Sequence, residues 1–374
     1  MNILHFGKFY PPFNGGMEIY LRDLAEQQSQ KHNVTALVHN HDFNFIKSNH
    51  QEQTINQVKV IRQQTLKPIL FTPIMLGVNK VVSHLIDTKN VDVIHISWPN
   101  PSALFLLLNK KAKKKPWVIQ WQSDMVTEHS SLMLKLAYKF FKPFEKLLLK
   151  QASLIIASTK EYFKHSIALK KFEGKCHFVP LALKHISPEV DQNSYQWALK
   201  LWGDSNYKVY SIGRLTFYKN HQILIQAAQL LPAAKFIITG SGELENSLKK
   251  QINQLGIDNI VLTGGLKKNK LNALLSSCDI FCLPSNDRAE SYGMVLLEAL
   301  TFNKSILVSD LPGSGMKWIA SQSPIGMTFK NNNPDDLIEK VKQHSPNPNK
   351  NANNKIFQIE HCANTIEALY QNII

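Results

Sequence analysis

Between Asp279 and Leu300 the chain sets an apolar run, a polar loop and a second apolar run side by side. Few backbone arrangements accommodate that order. Asp279-Ile280-Phe281-Cys282-Leu283 reads as a buried strand that stops at Pro284. The loop runs from Ser285 to Ser291. A helix then starts near Gly293 and continues through Met294, Val295, Leu296, Leu297, Glu298, Ala299 and Leu300. It is apolar on nearly every side, so it is expected to be buried. Yet it carries one carboxylate, Glu298, about one turn from its start, and a buried carboxylate is costly without a partner. The open backbone N–H groups at Gly293, Met294 and Val295 make an end that attracts phosphate. Glu290 stands just ahead of the helix. The pair suits a ligand with phosphate in the middle and a hydroxyl-rich group at each end, as a nucleotide sugar has. Taken alone, the same pair also reads as a solvated loop glutamate and an incidental helix glutamate.

The stretch ESYGMVLLEAL resembles a known signature. Two glutamates at this spacing, Tyr292-Gly293 after the first and Ala299-Leu300 after the second, are similar to the E-x7-E unit of family-four retaining glycosyltransferases. The resemblance implies an α/β chain of GT-B fold: two Rossmann-like domains with parallel sheets facing across a cleft. The nucleotide-sugar donor would sit mainly on the second domain and the acceptor on the first.

Length agrees with two domains, since 374 residues are many for one core. The expected division is 1–185 and 194–350, with a last helix, 358–374, packing back onto the first domain. Short apolar strands alternate with helical patterns along both parts, which argues for parallel, doubly wound sheets. Such sheets bind ligands beyond the carboxyl ends of their strands. Strands are expected at Asn2–Phe6, Val34–His39, Val58–Ile61, Val91–Ile96, Trp117–Trp121, Leu154–Ala157 and Cys176–Ala182, and helices over Met75–Asp87, Leu104–Lys110 and Glu360–Ile374. Polar stretches at Lys184–Asn193 and Ser345–Asn354 read as linkers.

The motifs fall in one order. Pro11-Pro12, Gly15-Gly16 and Glu18 lie between the first strand and the helix marked by Leu21, Leu24 and Ala25. Paired glycines allow a phosphate or sugar close to the backbone, and serve equally as a tight strand-to-helix turn. In the resembled family this loop faces the donor phosphate. Trp121-Gln122-Ser123-Asp124 ends a strand where that family often carries a histidine. Gln122 departs from it: an amide can bond an acceptor hydroxyl but cannot shuttle a proton. Asp124 remains to orient or activate the acceptor, or simply to cap a helix. His129 reads as a surface residue.

In the second half, Gly213-Arg214-Leu215 follows a strand and Lys219 comes five residues after Arg214. Two cations so spaced can grip a diphosphate, or be a solvated pair. The resemblance gives Arg214 and Lys219 the departing diphosphate, Glu290 the donor sugar and Glu298 the ribose. Gly240-Ser241-Gly242 lacks the third glycine of a dinucleotide fingerprint and resembles the family's loop below the nucleotide. Leu266 is expected to edge the base. No DxD-type carboxylate pair is evident, so no metal and no cofactor beyond the donor is expected. The reading is thus a metal-independent, retaining hexosyltransferase. A weakly active sugar-nucleotide binder, which Gln122 keeps open, and a GT-B epimerase or phosphorylase are the alternatives.

The net charge of +15 is uneven: residues 1–185 carry +13 and the remainder +2. Such a half favours anionic partners, but no nucleic-acid module is recognisable, so nucleic acid is not expected. From Ser131 to Lys150, Lys135, Lys139, Lys142, Lys146 and Lys150 fall on one helix face, and Leu132, Leu134, Leu136, Phe140, Phe141, Phe144, Leu147, Leu148 and Leu149 fill the rest. This is either a helix docking on an anionic membrane or a core helix with a solvated lysine face. Pro143 is expected to kink or split it. No uncharged apolar run is long enough to span a bilayer, and the N-terminus lacks the profile of a signal peptide. Cys176, Cys278, Cys282 and Cys362 match no zinc or disulfide framework and read as buried thiols. The chain is therefore expected in the cytoplasm, with the inner membrane face as its possible station and a lipid-linked envelope glycan as acceptor.

Overall fold

In the computed structural model the described residues are 1–13, 15–40, 50–69, 72–125, 131–184, 189–344 and 354–374, with side chains omitted at 67–69 and 72. They divide into two compact units, Met1–Lys184 with Ile356–Ile374, and His185–Lys355. His129, part of the first expected linker and most of the second lie outside the described residues.

Among the described residues the first unit is built on ten strands: β1 (Asn2–Phe6), β2 (Asn33–His39), β3 (Gln51–Ile55), β4 (Val58–Gln63), β5 (Thr65–Ile69), β6 (Thr72–Met75), β7 (Val93–Trp98), β8 (Trp117–Trp121), β9 (Leu154–Ala157) and β10 (Cys176–Phe178). Its main sheet runs β10-β9-β8-β7-β1-β2-β4-β3, and β5 pairs with β6 as a separate hairpin. Every pairing in the main sheet is parallel except β3 with β4. Strands buried on both faces read as continuous apolar runs, which is why the parallel ones are visible in sequence. The core joins Leu4, Phe6, Ile94, Ile96, Trp98, Ile119 and Trp121 to Leu148, Leu149 and Tyr162.

The helices of this unit are α1 (Gly16–Gln28), α2 (Val78–Lys89), α3 (Leu132–Gln151) and α4 (Lys160–His165). Met75 ends β6, and Gly77 at φ 64° separates it from α2, so the helix expected from Met75 begins later. The helix expected at Leu104–Lys110 is instead a 3-10 segment, Pro101–Leu108. Helix α3 is continuous through Pro143. Strand β10 stops at Phe178, two residues short of Pro180, rather than reaching Ala182.

The second unit holds β11 (Tyr207–Ile212), β12 (Ala234–Thr239), β13 (Ile260–Leu262), β14 (Ile280–Leu283), β15 (Ser305–Ser309) and β16 (Gly326–Phe329). They form one parallel sheet ordered β13-β12-β11-β14-β15-β16. Its helices are α5 (Gln192–Trp202), α6 (Gln222–Leu230), α7 (Glu245–Leu255), α8 (Lys268–Ser277), α9 (Met294–Thr301), α10 (Met316–Ser321) and α11 (Pro334–Gln343). The last helix, α12 (Ile359–Gln371), belongs to the first unit and packs on α1. Tyr370 on α12 bonds His95 on β7, and Lys31 Nζ reaches Asn364 at 2.9 Å.

Both sheets reverse direction once: at β1/β7 in the first unit and at β11/β14 in the second. A reversal leaves a crevice at the carboxyl ends of the two strands, because their following connections leave to opposite sides. Among the described residues no helix is long and apolar enough to cross a membrane.

Candidate functional site

In the second unit the reversal brings together the loops after β11 and β14. The loop after β11 carries Gly213-Arg214-Leu215 and a short 3-10 turn, Phe217–Lys219. The loop after β14 carries Ser285 to Tyr292. Lys219 Nζ and Glu290 Oε2 form an ion pair, with both side chains about nine-tenths covered. Ser285 Oγ donates to the same carboxylate oxygen at 3.3 Å. The Asn286 N–H donates to the Tyr218 carbonyl at 3.0 Å, so backbone as well as side chain joins the loops. Ser314 Oγ donates to the Glu290 carbonyl at 2.6 Å, and Ala289 N–H to Asp287 Oδ1 at 2.7 Å. Glu290 therefore sits on a loop fixed from several sides.

Lys219 also lies 5.7 Å from the centroid of Tyr218. Burial raises the Tyr218 hydroxyl above its ordinary range, and the charge of Glu290 adds to this. Arg214 is exposed, and its positive charge acts on both Tyr218 and Glu243. His221, two residues past Lys219, is buried, so its pKa falls to about 3, the Lys219 charge assisting. It stays neutral and adds no charge to the locus.

Glycine explains how closely these loops stack. Gly240 has φ 147°, and a Cβ there would fall 1.9 Å from the Gly213 carbonyl oxygen. A Cβ on Gly242 would fall 2.3 Å from the Leu215 carbonyl oxygen. Gly242 is thus required by the backbone of the Gly-Arg-Leu loop, whatever it does for a ligand. Gly293 caps α9 at φ 90° and supplies no side-chain cap, leaving the N–H groups of the first turn without one. Met294 and Val295 are half-buried there. Glu298 is half-buried rather than buried, because α9 turns that side away from its packed face; its charge acts on Tyr210. Leu266 is half-buried behind Gly264 at φ 68°.

In the first unit, Asn100 Nδ2 donates to the Gly7 carbonyl at 2.9 Å and so ties the loop after β7 to the loop after β1. Arg62, buried on β4, donates to the carbonyls of Tyr10, at 3.3 Å, and Pro11. This holds the loop that leads to Gly15 and Gly16. Gly15 precedes α1 in ordinary extended backbone, φ −144°, and Gly16 is exposed. Neither therefore needs to be glycine for conformational reasons.

Gln122 follows β8 and is buried, with neither amide atom meeting a hydrogen-bond partner among the described residues. Trp98 Nε1, also buried, is in the same condition, and the Trp98 and Trp121 rings stack at 5.6 Å. Buried polar atoms are rarely left so. Asp124 caps no helix among the described residues; Ser131 is the cap of α3. Asp124 Oδ1 instead accepts from Trp121 Nε1 at 3.1 Å and from Ser166 Oγ at 2.6 Å.

The expected residues thus form two groups, Lys219, Glu290, Arg214 and α9 in one unit, Gln122 and Asp124 in the other. Sequence reading missed Ser285, Tyr218, Ser314, Trp98 and Arg62. Trp98 ends a strand, Ser285 lies just beyond one, Ser314 sits in a Gly-Ser-Gly loop and Tyr218 stands beside Lys219, a positional signal that was available. Arg62 lies inside a strand and gave none. Among the described residues no group of three or more His, Cys, Asp or Glu is placed to hold a metal ion.

Comparison with known proteins places both units. Residues 14–183 match the family described as Glycosyltransferase Family 4, and residues 199–357 match Glycosyl transferases group 1. The O-antigen chain mannosyltransferase C of Escherichia coli is 26% identical over 347 residues, which is 92% of this chain and 88% of that protein. Among solved structures, a sucrose-phosphate synthase of Thermosynechococcus elongatus superposes with TM-score 0.76 at 15% identity, over 100% of this chain and 99% of that one. Anabaena Alr3699/HepE, solved in complex with UDP, superposes with TM-score 0.70 at 16% identity over the whole of both chains.

Proposed function

The chain belongs to the family-four, group 1 glycosyltransferases of GT-B fold, and from that membership we propose that it moves a sugar, with retention, from a nucleoside diphosphate sugar to a glycan or lipid-linked acceptor. The carrying observation is the Lys219–Glu290 pair at the strand reversal of the second unit, in a loop that leads into the uncapped start of α9. A cation, a helix start and a fixed carboxylate are what a sugar diphosphate needs. Lys219, Arg214 and the N–H groups of Gly293, Met294 and Val295 take the charge that grows on the leaving diphosphate. Glu290 takes hydroxyls of the donor sugar, Glu298 the ribose, and Leu266 edges the base. Gly15 and Gly16 admit the donor phosphate to the backbone of the first unit. Gln122 and Asp124 face the acceptor, and the two unpartnered amide atoms of Gln122 support that assignment.

The reaction needs no metal in this reading, since fixed cations and a helix dipole perform the charge stabilisation. The acceptor belongs to envelope polysaccharide, as the likeness to an O-antigen mannosyltransferase suggests, and the enzyme works in the cytoplasm at the inner face of the membrane. A second reading, a weakly active sugar-nucleotide binder, is favoured only by Gln122, which cannot move a proton.

The test is a melting-temperature screen of uridine, guanosine, adenosine and thymidine diphosphate sugars, followed by release of nucleoside diphosphate from whichever one stabilises the protein. One donor should raise the melting temperature and be slowly hydrolysed. No shift with any of them would end the proposal; a shift with no turnover would leave the binder.

A further inference from the structure

Helix α3 has three faces, and only one of them is packed. Glu145, Leu148 and Leu149 are buried, and Leu134, Ala137 and Tyr138 lie half-buried on the same side. At about 100° per residue, Leu132, Met133, Leu136, Phe140, Phe144 and Leu147 form a second stripe away from that side. This stripe is open to solvent, with Leu132 at 74% and Phe140 at 78% exposure. Lys135, Lys139, Lys142, Lys146 and Lys150 form the third stripe, beside the apolar one, and all five are exposed. The only acid in the helix is Glu145, which is buried.

The patch continues beyond α3. The helix packs against the segment Pro101–Leu108, whose last residue is 77% exposed. Gln151 Nε2 donates to the Lys113 carbonyl at 3.0 Å, bringing the basic run Lys110 to Lys115 to the end of the helix. An ordinary core helix buries its apolar side chains and leaves its charges out. Here the apolar stripe and the lysines are exposed together.

We propose that α3 lies in the interface of an anionic lipid bilayer, with Leu132, Leu136, Phe140, Phe144 and Leu147 among the acyl chains and the adjacent lysine stripe on the headgroups. The chemistry excludes the rivals in turn. Nucleic acid would engage the lysines but offers nothing to a row of exposed leucine and phenylalanine side chains. A second copy of this chain, docked by the same face, would set lysine stripe against lysine stripe. A bilayer with anionic headgroups satisfies both stripes at once.

The docked helix stands close to the acceptor locus. The charge of Asp124, after β8, acts on both Tyr138 and Glu145 of α3. Docking would therefore hold Gln122 and Asp124 near the headgroup plane, where a lipid-linked glycan is presented. The proposal deepens the acceptor side of the function above and rests on that reading for the acceptor alone; the docking rests on α3.

The experiment is sedimentation of the full-length protein with vesicles of phosphatidylcholine, with and without about a third phosphatidylglycerol, at 0.1 M and 0.5 M salt. Phe140→Ser/Phe144→Ser and Lys139→Glu/Lys146→Glu are compared with wild type, and the donor-induced melting shift is recorded for each. Wild type should partition to the anionic vesicles about tenfold or more over the neutral ones, less at high salt. Lys139→Glu/Lys146→Glu should lose about 25-fold or more, at roughly fivefold for each lysine removed, Phe140→Ser/Phe144→Ser should lose about tenfold through the lost apolar burial, and both should keep the donor shift. Equal binding to neutral vesicles, or variants that bind like wild type, would overturn the docking. So would a concentration-dependent dimer abolished by the same substitutions. Loss of the donor shift in wild type with vesicle binding intact would instead overturn the donor reading and leave the docking standing.

Discussion

The ammonium of Lys219 is paired with the carboxylate of Glu290, and Ser285 donates to the same carboxylate oxygen. The pair links the loops after two adjacent strands, β11 and β14, across the point where the sheet order reverses. It is both a bolt between loops and, in the proposed reaction, the pair that meets the donor. Those two roles separate by mutation.

Lys219→Ala should do two things at once. It strands Glu290 in a largely covered site, which costs on the order of 2 kcal/mol of stability, below the figure for a fully buried pair. It should also reduce donor turnover by about a hundredfold or more, through loss of charge on the leaving diphosphate. Lys219→Ala/Glu290→Ala removes the stranded charge, so much of the stability should return while turnover stays low. Urea denaturation and donor hydrolysis on the four members of the cycle check this. Parallel recovery of stability and turnover would assign the pair a purely structural part.

The glycines of the loop after β12 make a backbone prediction. A methyl group on Gly240 or Gly242 meets a fixed carbonyl oxygen, at 1.9 Å and 2.3 Å. Gly240→Ala and Gly242→Ala should each destabilise the second unit by roughly 2 kcal/mol or more and displace the Gly-Arg-Leu loop. Gly265→Ala has open space around it and should change stability by less than about 0.5 kcal/mol. Donor affinity by calorimetry should fall for the first two and hold for the third. Retained stability in Gly242→Ala would refute the close approach.

The contrast between these residues shows what was legible in the chain. The parallel strands were visible because both faces are buried, and Gly293 and Glu290 because a helix start and a carboxylate lie close in sequence. β3, Gln51–Ile55, was missed because it is a polar, exposed edge strand with no apolar signal. The start of α2 was displaced because Met75 and Leu76 before Gly77 run on into Val78, Val81 and Val82 after it, so the apolar pattern continues across a left-handed break. The Lys219–Glu290 pair could not be read, since only the sheet order makes those loops neighbours. Gly242 looked like a ligand glycine and is also a packing glycine, a distinction that only three-dimensional contact reveals.

Acid should weaken the first unit well before its carboxylates titrate. Burial lowers His5 and His39 to about 4 and holds His95 well below the ordinary value, with the charge of neighbouring His5 adding to the last. The folded values are depressed, so stability is full above the unfolded value near 6.5 and is lost as pH falls from there toward 4. Each such histidine contributes about 1.4 kcal/mol per pH unit in that window. Urea midpoints should fall steeply between pH 6.5 and 5. His39→Gln keeps a donor toward the Lys8 carbonyl, which His39 Nδ1 reaches at 2.6 Å, and should make the slope shallower. An unchanged midpoint across this range would show that these histidines take up protons in the fold as readily as in the unfolded chain.

Glu145 runs the other way. Burial raises its carboxyl to about 7, the charge of Asp124 adding, while the Tyr138 hydroxyl, donating at 2.6 Å, opposes the rise. The second carboxylate oxygen meets no partner among the described residues. A raised acid is neutral in the fold while the unfolded chain has already ionised. Its penalty is therefore absent below the unfolded value near 4.5, grows as pH rises, and is complete above about 7. Three histidines outweigh one glutamate, so the first unit still gains stability from pH 5 to 6.5, and the glutamate shows only when isolated. Glu145→Gln keeps an oxygen for Tyr138 and removes the charge. It should match wild type at pH 4.5 and exceed it at pH 8 by on the order of 2 kcal/mol. Glu145→Ala also removes the charge but leaves the Tyr138 hydroxyl without its acceptor, so it should gain less, by about 1 kcal/mol. Urea midpoints at the two pH values separate the three proteins. A Glu145→Gln variant that is weaker than wild type at pH 8 would mean that the carboxylate is held charged, with a cation rather than Tyr138 deciding its state.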